Sequence, residues 1–203
     1  MKKLLIFIVL LVCLFFASFI QWDSTDDPNP PPLVKAARSQ IGKTVLYDAA
    51  YTKLEYPNGD VPLYKGVCTD VVVRALRKSH KQDLQKLMHE DMLSHFKNYP
   101  QKWGAKRPDK NIDHRRVPNI RRYFERRGYA LPVTTELKDY QAGDIVTCTF
   151  GQNKTHIMIV SSRKNRAGRP YVIHNEGLGT RENDKLFAYR LTGHYRIKDA
   201  KNK

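Results

Sequence analysis

The chain has 203 residues, of which 41% are hydrophobic and 10% aromatic. This length suits one domain of ordinary size, and this composition favours a packed globule over a disordered chain. The formal net charge of +16 predicts an anionic partner or environment. Charge alone does not choose among nucleic acid, anionic lipid and acidic cell-wall polymers.

The N-terminus predicts export. Lys2 and Lys3 precede an apolar run over residues 4–20, which fits a signal peptide or, at about the 17 residues needed to span a bilayer, an uncleaved anchor. Residues 1–22 are therefore interpreted as a signal peptide or membrane anchor. The positive-inside rule then places the body in the periplasm or another extracytoplasmic space, either free or held at the inner membrane by residues 4–20.

Residues 23–32 are acidic and Pro-rich and predict an extended spacer, so the domain is expected over residues 33–203. Apolar residues at helical spacing predict a first helix over residues 33–44 and a loop with strong turn signals over residues 47–65. The same spacing predicts three further helices: one from Cys68, one over residues 83–96 and a short one between Pro118 and Gly128.

Cys68 stands where the loop ends and the second helix begins. Unpaired N–H groups at a helix N-terminus favour a thiolate, so Cys68 is interpreted as a nucleophile with a lowered pKa. The alternative is a small buried residue that only packs. The exported body contains one other cysteine, Cys148. In an oxidising compartment a structural Cys68–Cys148 disulfide is the alternative to a catalytic Cys68.

Residues 97–127 concentrate lysine and arginine, and they are interpreted either as a solvated face or as a landing surface for an anionic polymer. His89 and His95 lie six residues apart, whereas the zinc-peptidase motif needs four. We therefore predict no metal and no cofactor.

Beyond Gly128 the apolar pattern alternates, which predicts strands over residues 144–150, 156–161, 171–174 and 187–197. Short turns make successive strands antiparallel neighbours. The chain is thus helical first and sheet-forming second, which predicts the α+β class, with N-terminal helices packed on an antiparallel β-sheet.

A cysteine nucleophile needs a base within hydrogen-bond reach, and the base needs a third group that orients its ring. His156 opens one predicted strand and His174 closes the next, so the hairpin can bring the two imidazoles side by side. A helix packed on the sheet can carry Cys68 to them.

This order of motifs resembles the NlpC-type and CHAP-type papain-like cysteine peptidases and amidases. Nearly the whole body from residue 33 resembles one branch, a family of exported bacterial proteins described only as a domain of unknown function. The stretches that carry the resemblance are residues 66–70, 112–119, 143–146, 174–177 and 193–196.

The resemblance implies thiol-dependent hydrolysis of an amide bond, commonly in cell-wall peptidoglycan. Cys68 would be the nucleophile, His156 the base and His174 its orienting group. Asn175 is the substitute for His174, and Asp70, two residues after the thiol, would cap the helix or touch substrate.

Two further classes stay open. One is a non-catalytic binding module for peptidoglycan or another anionic envelope polymer, and the other is a thioester-forming acyltransferase. The leader makes nucleic acid an unexpected partner, and contact with the membrane is expected only through the N-terminal segment.

Overall fold

In the computed structural model, which describes residues 24–198, the helices come first in the chain and the long strands follow. The predicted α+β class is confirmed. The helices of this part of the chain are α1 (Pro32–Arg38), α2 (Cys68–His80), α3 (Leu84–His95) and α4 (Val117–Arg126), with short 3₁₀ turns at Phe96–Asn98, Asp113–Arg115 and Leu137–Asp139. Its strands are β1 (Ser24–Thr25), β2 (Leu46–Tyr47), β3 (Lys65–Gly66), β4 (Ala130–Leu131), β5 (Ile145–Phe150), β6 (Lys154–Asn165), β7 (Pro170–Asn175), β8 (Thr180–Asn183) and β9 (Arg190–Tyr195).

The main sheet runs in the order β4-β9-β5-β6-β7-β8, and all its neighbours are antiparallel. The predicted hairpins β5–β6 and β6–β7 are confirmed. Strand β9 does not pair with its predecessor β8 but with β5, on the edge of β5 that faces away from β6. Strand β8 was not predicted, because its four polar residues show no alternation. A small parallel pair, β2 and β3, leads directly into α2.

The two faces of the sheet bury different clusters. Ile157 and Ile159 of β6 pack towards α1 and α2, whereas Met158 and Val160 pack on the other face. Each such fully buried side chain contributes about 1.5–3 kcal/mol relative to exposure. Because successive side chains of a strand point to opposite faces, the side chains of His156 and Ile157 on β6 lie on opposite sides of the sheet.

Helix α2 is the central helix of the first cluster. Val71, Val72, Ala75 and Leu76 have no exposed surface, which is the buried stripe that the sequence predicts. The helix ends at His80, and the capping residue Lys81 adopts the left-handed backbone conformation.

A buried ionic cluster closes the sheet at the junction of β5 and β9. Nε and Nη2 of Arg196 donate to the Asp144 carboxylate at 2.7 and 2.8 Å, and His194 Nε2 lies 2.8 Å from the same group. Although burial opposes it, this pairing lowers the pKa of Asp144. Two of the stretches that carry the resemblance, residues 143–146 and 193–196, therefore have a structural role, because these contacts hold β5 and β9 together.

The predicted spacer is not free from Ser24 onwards. Strand β1 pairs with the far end of β6, and Asp26 bonds to Arg38 and Ser162. Asp26 therefore binds a basic and a polar group of the domain, which the spacer prediction did not anticipate. The leader over residues 1–22 lies outside the described residues, and within residues 24–198 no helix has the length and apolarity to cross a membrane.

Candidate active site

Cys68 is the first residue of α2 and is only 4% exposed. The backbone N–H groups of Ile157, Thr69 and Cys68 itself lie close enough to its sulfur to favour the thiolate. Burial nevertheless raises the pKa of the thiol to about 12, with a smaller contribution from the Asp70 charge. The predicted lowering of this pKa is therefore wrong, because a helix terminus supplies about 1 kcal/mol whereas burial can shift a pKa by several units.

We expect Cys68 to react with iodoacetamide at pH 7 more slowly than free cysteine, whose pKa is about 8.5. Since the raised pKa keeps the thiol protonated, the labelling rate should climb steadily as the pH rises towards about 12. Mass spectrometry of the peptide that contains Cys68 measures this rate. Labelling at pH 7 as fast as that of free cysteine would show that burial does not control this thiol.

Asp70 holds the loop ahead of the thiol. Its carboxylate accepts the backbone N–H of Val67 at 2.7 Å, which caps α2, and it binds Arg115 at 2.9 and 3.0 Å in a buried ion pair. A Cβ on Gly66 would lie 2.9 Å from the same carboxylate, so glycine is required there. The capping alternative is confirmed, because both oxygens of the Asp70 carboxylate are occupied by the Val67 N–H and the Arg115 guanidinium.

The structure brings the two predicted strand histidines together. His156 Nε2 lies 2.7 Å from His174 Nδ1, and His174 Nε2 lies 2.9 Å from Asn183 Oδ1. The amide oxygen of Asn183 can only accept, so His174 Nε2 carries the hydrogen and His174 Nδ1 is an acceptor. His156 Nε2 must then donate, which leaves a free lone pair on His156 Nδ1.

Both imidazoles are neutral at pH 7. Burial lowers the pKa of His156 to about 3, with a further contribution from His174, and burial likewise lowers the pKa of His174. The neutral state agrees with the hydrogen-bond chain, in which each ring has one donor and one acceptor nitrogen.

The thiol lies next to the backbone of β6, the strand that carries His156. The backbone N–H of Ile157, the residue after His156, lies close enough to the sulfur to favour its thiolate form. Ile157 faces α2, whereas His156 lies opposite Cys148 in the register and its ring packs edge-on against Phe150. Within residues 24–198 no hydrogen bond joins the thiol to either imidazole, so the resting structure pairs the imidazoles and leaves the thiol beside their strand.

Two alternatives from the sequence are wrong. Cys68 and Cys148 are both free and buried in different clusters, so the disulfide is not formed. Asn175 does not orient His156, because its amide nitrogen donates to Gly66 O at 3.0 Å and its oxygen accepts the N–H of Gly177. Asn175 instead fixes the turn that precedes Cys68.

A cleft of about 190 Å³ opens over the thiol. Its walls include Tyr47 from β2, Thr155 from β6, Trp103, and the Arg115 that pairs with Asp70. Burial and the neighbouring Cys68 raise the pKa of Tyr47 to about 12, so this phenol is a hydrogen-bond donor at neutral pH.

The model of the family described as "Domain of unknown function (DUF1287)" matches residues 34–197. The chain belongs to this family. The match spans the thiol, both imidazoles and Asn183. The chain is also similar to "Uncharacterized protein YijF" of Escherichia coli (strain K12), with 55% identity over 164 residues, or 81% of this chain and 80% of that protein.

Neither Asn183 nor a cluster of Glu176, Lys185 and Tyr189 near the histidines was predicted from the sequence. Lys185 and Tyr189 both donate to the Glu176 carboxylate, Lys185 at 2.5 Å. The charges of Glu176 and Lys185 act on His174 with opposite sign. Asn183 lies on β8, a strand with no periodic signal, and the antiparallel pairing of β8 with β7 brings it alongside His174.

Proposed function

We propose that this protein is an exported, papain-like cysteine hydrolase that cleaves an amide bond in cell-wall peptide. The observation that carries the proposal is the chain His156–His174–Asn183, which leaves a neutral base nitrogen on the residue before Ile157, whose N–H contacts the Cys68 sulfur. A thiol and an oriented imidazole on adjoining elements are the parts that nucleophilic catalysis needs.

In the proposed reaction, His156 Nδ1 takes the thiol proton as the Cys68 sulfur attacks the scissile carbonyl carbon. The C–N bond then breaks, and the imidazolium returns the proton to the leaving amine, so that a thioester remains on Cys68. His156 then takes a proton from water, which attacks the thioester carbonyl carbon. The C–S bond breaks, the acid product is released, and the imidazolium returns its proton to the Cys68 sulfur. The first proton transfer requires the thiol and the ring to approach, and catalytic hydrogen bonds commonly tighten only when substrate binds.

His174 and Asn183 act through His156. Their hydrogen bonds hold the ring with Nε2 protonated, and they can accept part of the charge when His156 becomes an imidazolium. The N–H of Cys68 at the start of α2 would bind the developing oxyanion, a contribution of about 3 kcal/mol in comparable sites.

The sequence supports the proposed cell compartment and the proposed substrate. The leader supports secretion to the periplasm or retention at the inner membrane, and the net charge of +16 favours an anionic envelope polymer such as peptidoglycan. Several cations of the basic stretch are used internally: Arg115 binds Asp70, Arg116 binds Asp113 and Arg126 binds Asp91. The landing surface is therefore smaller than the sequence suggests.

Digestion of purified muropeptides in H₂¹⁸O tests this function. Amide hydrolysis adds one water, so we expect a new amine and a new carboxylate that contains one ¹⁸O atom, both visible by mass spectrometry. The Cys68→Ala variant should release neither product. Intact muropeptides after prolonged incubation with the active chain would reject the hydrolase.

A binding module is the second candidate, and the buried, protonated thiol favours it. A module would bind muropeptides without altering their mass, and Cys68→Ala and His156→Ala would bind as tightly as the natural chain. Formation of the ¹⁸O-labelled product excludes it.

Asn183→Leu is expected to lower kcat about tenfold or more with little change in KM, because loss of its oxygen frees His174 to adopt the other tautomer. Nitrogen-15 NMR of the histidine rings should show mixed tautomers for both His156 and His174. Asn183→Gln, which can keep an acceptor oxygen, is the conservative control. Single tautomers in Asn183→Leu would contradict the hydrogen-bond chain.

A further inference from the structure

A second and larger cavity adjoins the thiol cleft. Its volume is about 630 Å³, and Trp103 and Arg116 line both cavities. A chain that lies across Cys68 can therefore continue past Trp103 into the larger cavity.

The larger cavity carries cations that the protein does not neutralise. Arg107 and Lys110 line it, and among residues 24–198 neither makes an ion pair. Arg116 is paired with Asp113 at 3.2 Å. The one carboxylate in the lining, that of Asp109, accepts hydrogen bonds from Tyr51 Oη and from the Asn111 N–H.

Trp103, which lines both cavities, has an unusual backbone conformation. Its φ is +60° and its side chain is 52% exposed, although large residues rarely adopt left-handed backbone and seldom face water. The Arg116 guanidinium lies over its ring, 4.3 Å from the centroid. An exposed aromatic platform held by a cation is suited to contact a ligand.

The wall of the same cavity also contains an unsatisfied polar atom. His89 Nδ1 is buried without a hydrogen-bond partner in the described part of the chain. Buried polar atoms are nearly always bonded, so a ligand or water at this wall would complete an otherwise costly arrangement.

We propose that this cavity is a substrate subsite in which Arg107 and Lys110 bind a carboxylate of the peptide, while the peptide backbone crosses Trp103 on its way to Cys68. The subsite rests on the proposed function, because it assigns the acidic group to the same substrate. It selects an acidic side chain or a free terminal carboxylate over the corresponding amide.

Binding to the Cys68→Ala protein tests the subsite without turnover. The probes are a purified disaccharide-tetrapeptide muropeptide and the same compound with its carboxylates converted to amides by carbodiimide and ammonia, with Kd measured by calorimetry. We expect amidation to weaken binding about tenfold, or about 1.4 kcal/mol, since it removes two exposed charge contacts. The preference should shrink in high salt.

The double variant Arg107→Gln/Lys110→Gln should lose this preference for the acid. Lys43→Gln/Arg190→Gln removes the same net charge from exposed positions away from the cavity lining and should keep it. An unchanged preference in Arg107→Gln/Lys110→Gln, or an equal loss in the control, would overturn the subsite.

The cleavage assay on the active chain separates the two proposals. If the natural chain cleaves muropeptide while Arg107→Gln/Lys110→Gln still prefers the acid, the subsite is wrong and the hydrolase stands. If nothing is cleaved but the acid preference is lost in that variant alone, Arg107 and Lys110 form a carboxylate-binding site and the hydrolase is wrong.

Discussion

Cys68→Ala is expected to lower the rate of amide hydrolysis by about 10⁴-fold or more, because removal of a nucleophile abolishes the covalent route. Cys68 is 4% exposed and lies in the cluster between α2 and the sheet, and removal of its one sulfur atom should cost little stability. Initial rates of muropeptide cleavage, with thermal unfolding measured on the same samples, check both expectations.

Cys148→Ala is the matched control for this variant. Cys148 is also buried and free, and burial raises its pKa to about 12, but it packs in the cluster on the other face of the sheet. We expect Cys148→Ala to keep its rate of cleavage. A loss of rate in Cys148→Ala comparable with that in Cys68→Ala, at equal stability, would contradict the assignment of the nucleophile.

Arg115→Met is expected to destabilise the fold by about 3–5 kcal/mol. The side chains of Arg115 and Asp70 are only 2% and 4% exposed, and truncation leaves the carboxylate buried without its charge partner. Arg115 also donates to the backbone oxygens of Asp48 and Ala50, so the loop that forms the thiol cleft should loosen. Urea unfolding followed by circular dichroism measures the change in free energy.

The double variant Asp70→Asn/Arg115→Met supplies the comparison. Asparagine keeps an oxygen for the Val67 N–H but carries no charge, so the double variant should be more stable than Arg115→Met alone. If the loss of stability in the double variant equals the sum of the losses in Asp70→Asn and Arg115→Met, the two side chains are not coupled and Asp70 serves only as a cap.

Much of the fold could be predicted because its periodic segments are long. The buried stripe of α2 and the alternating residues of β5 and β6 follow the two periods directly. Strand β8 and the short strands β2 and β3 carry no such pattern, since tertiary pairing alone fixes them. The place of β9 beside β5 is likewise a long-range choice that no local signal encodes.

The candidate site divides in the same way. The pairing of His156 with His174 followed from their places at the ends of a predicted hairpin, and the structure confirms that the rings meet. The third group could not be predicted, because Asn183 reaches His174 only through the unforeseen strand β8. The pKa of Cys68 was predicted in the wrong direction, since burial depends on how α2 packs and sequence gives only the helix terminus.

The proposed thioester on Cys68 can be observed directly. Muropeptide mixed with the active chain and quenched in acid within milliseconds should leave a fraction of the protein heavier by the acyl group, and digestion should place that mass on the peptide that contains Cys68. Cleavage products that accumulate with no acyl adduct on that peptide, together with undiminished cleavage by Cys68→Ala, would contradict the cysteine hydrolase.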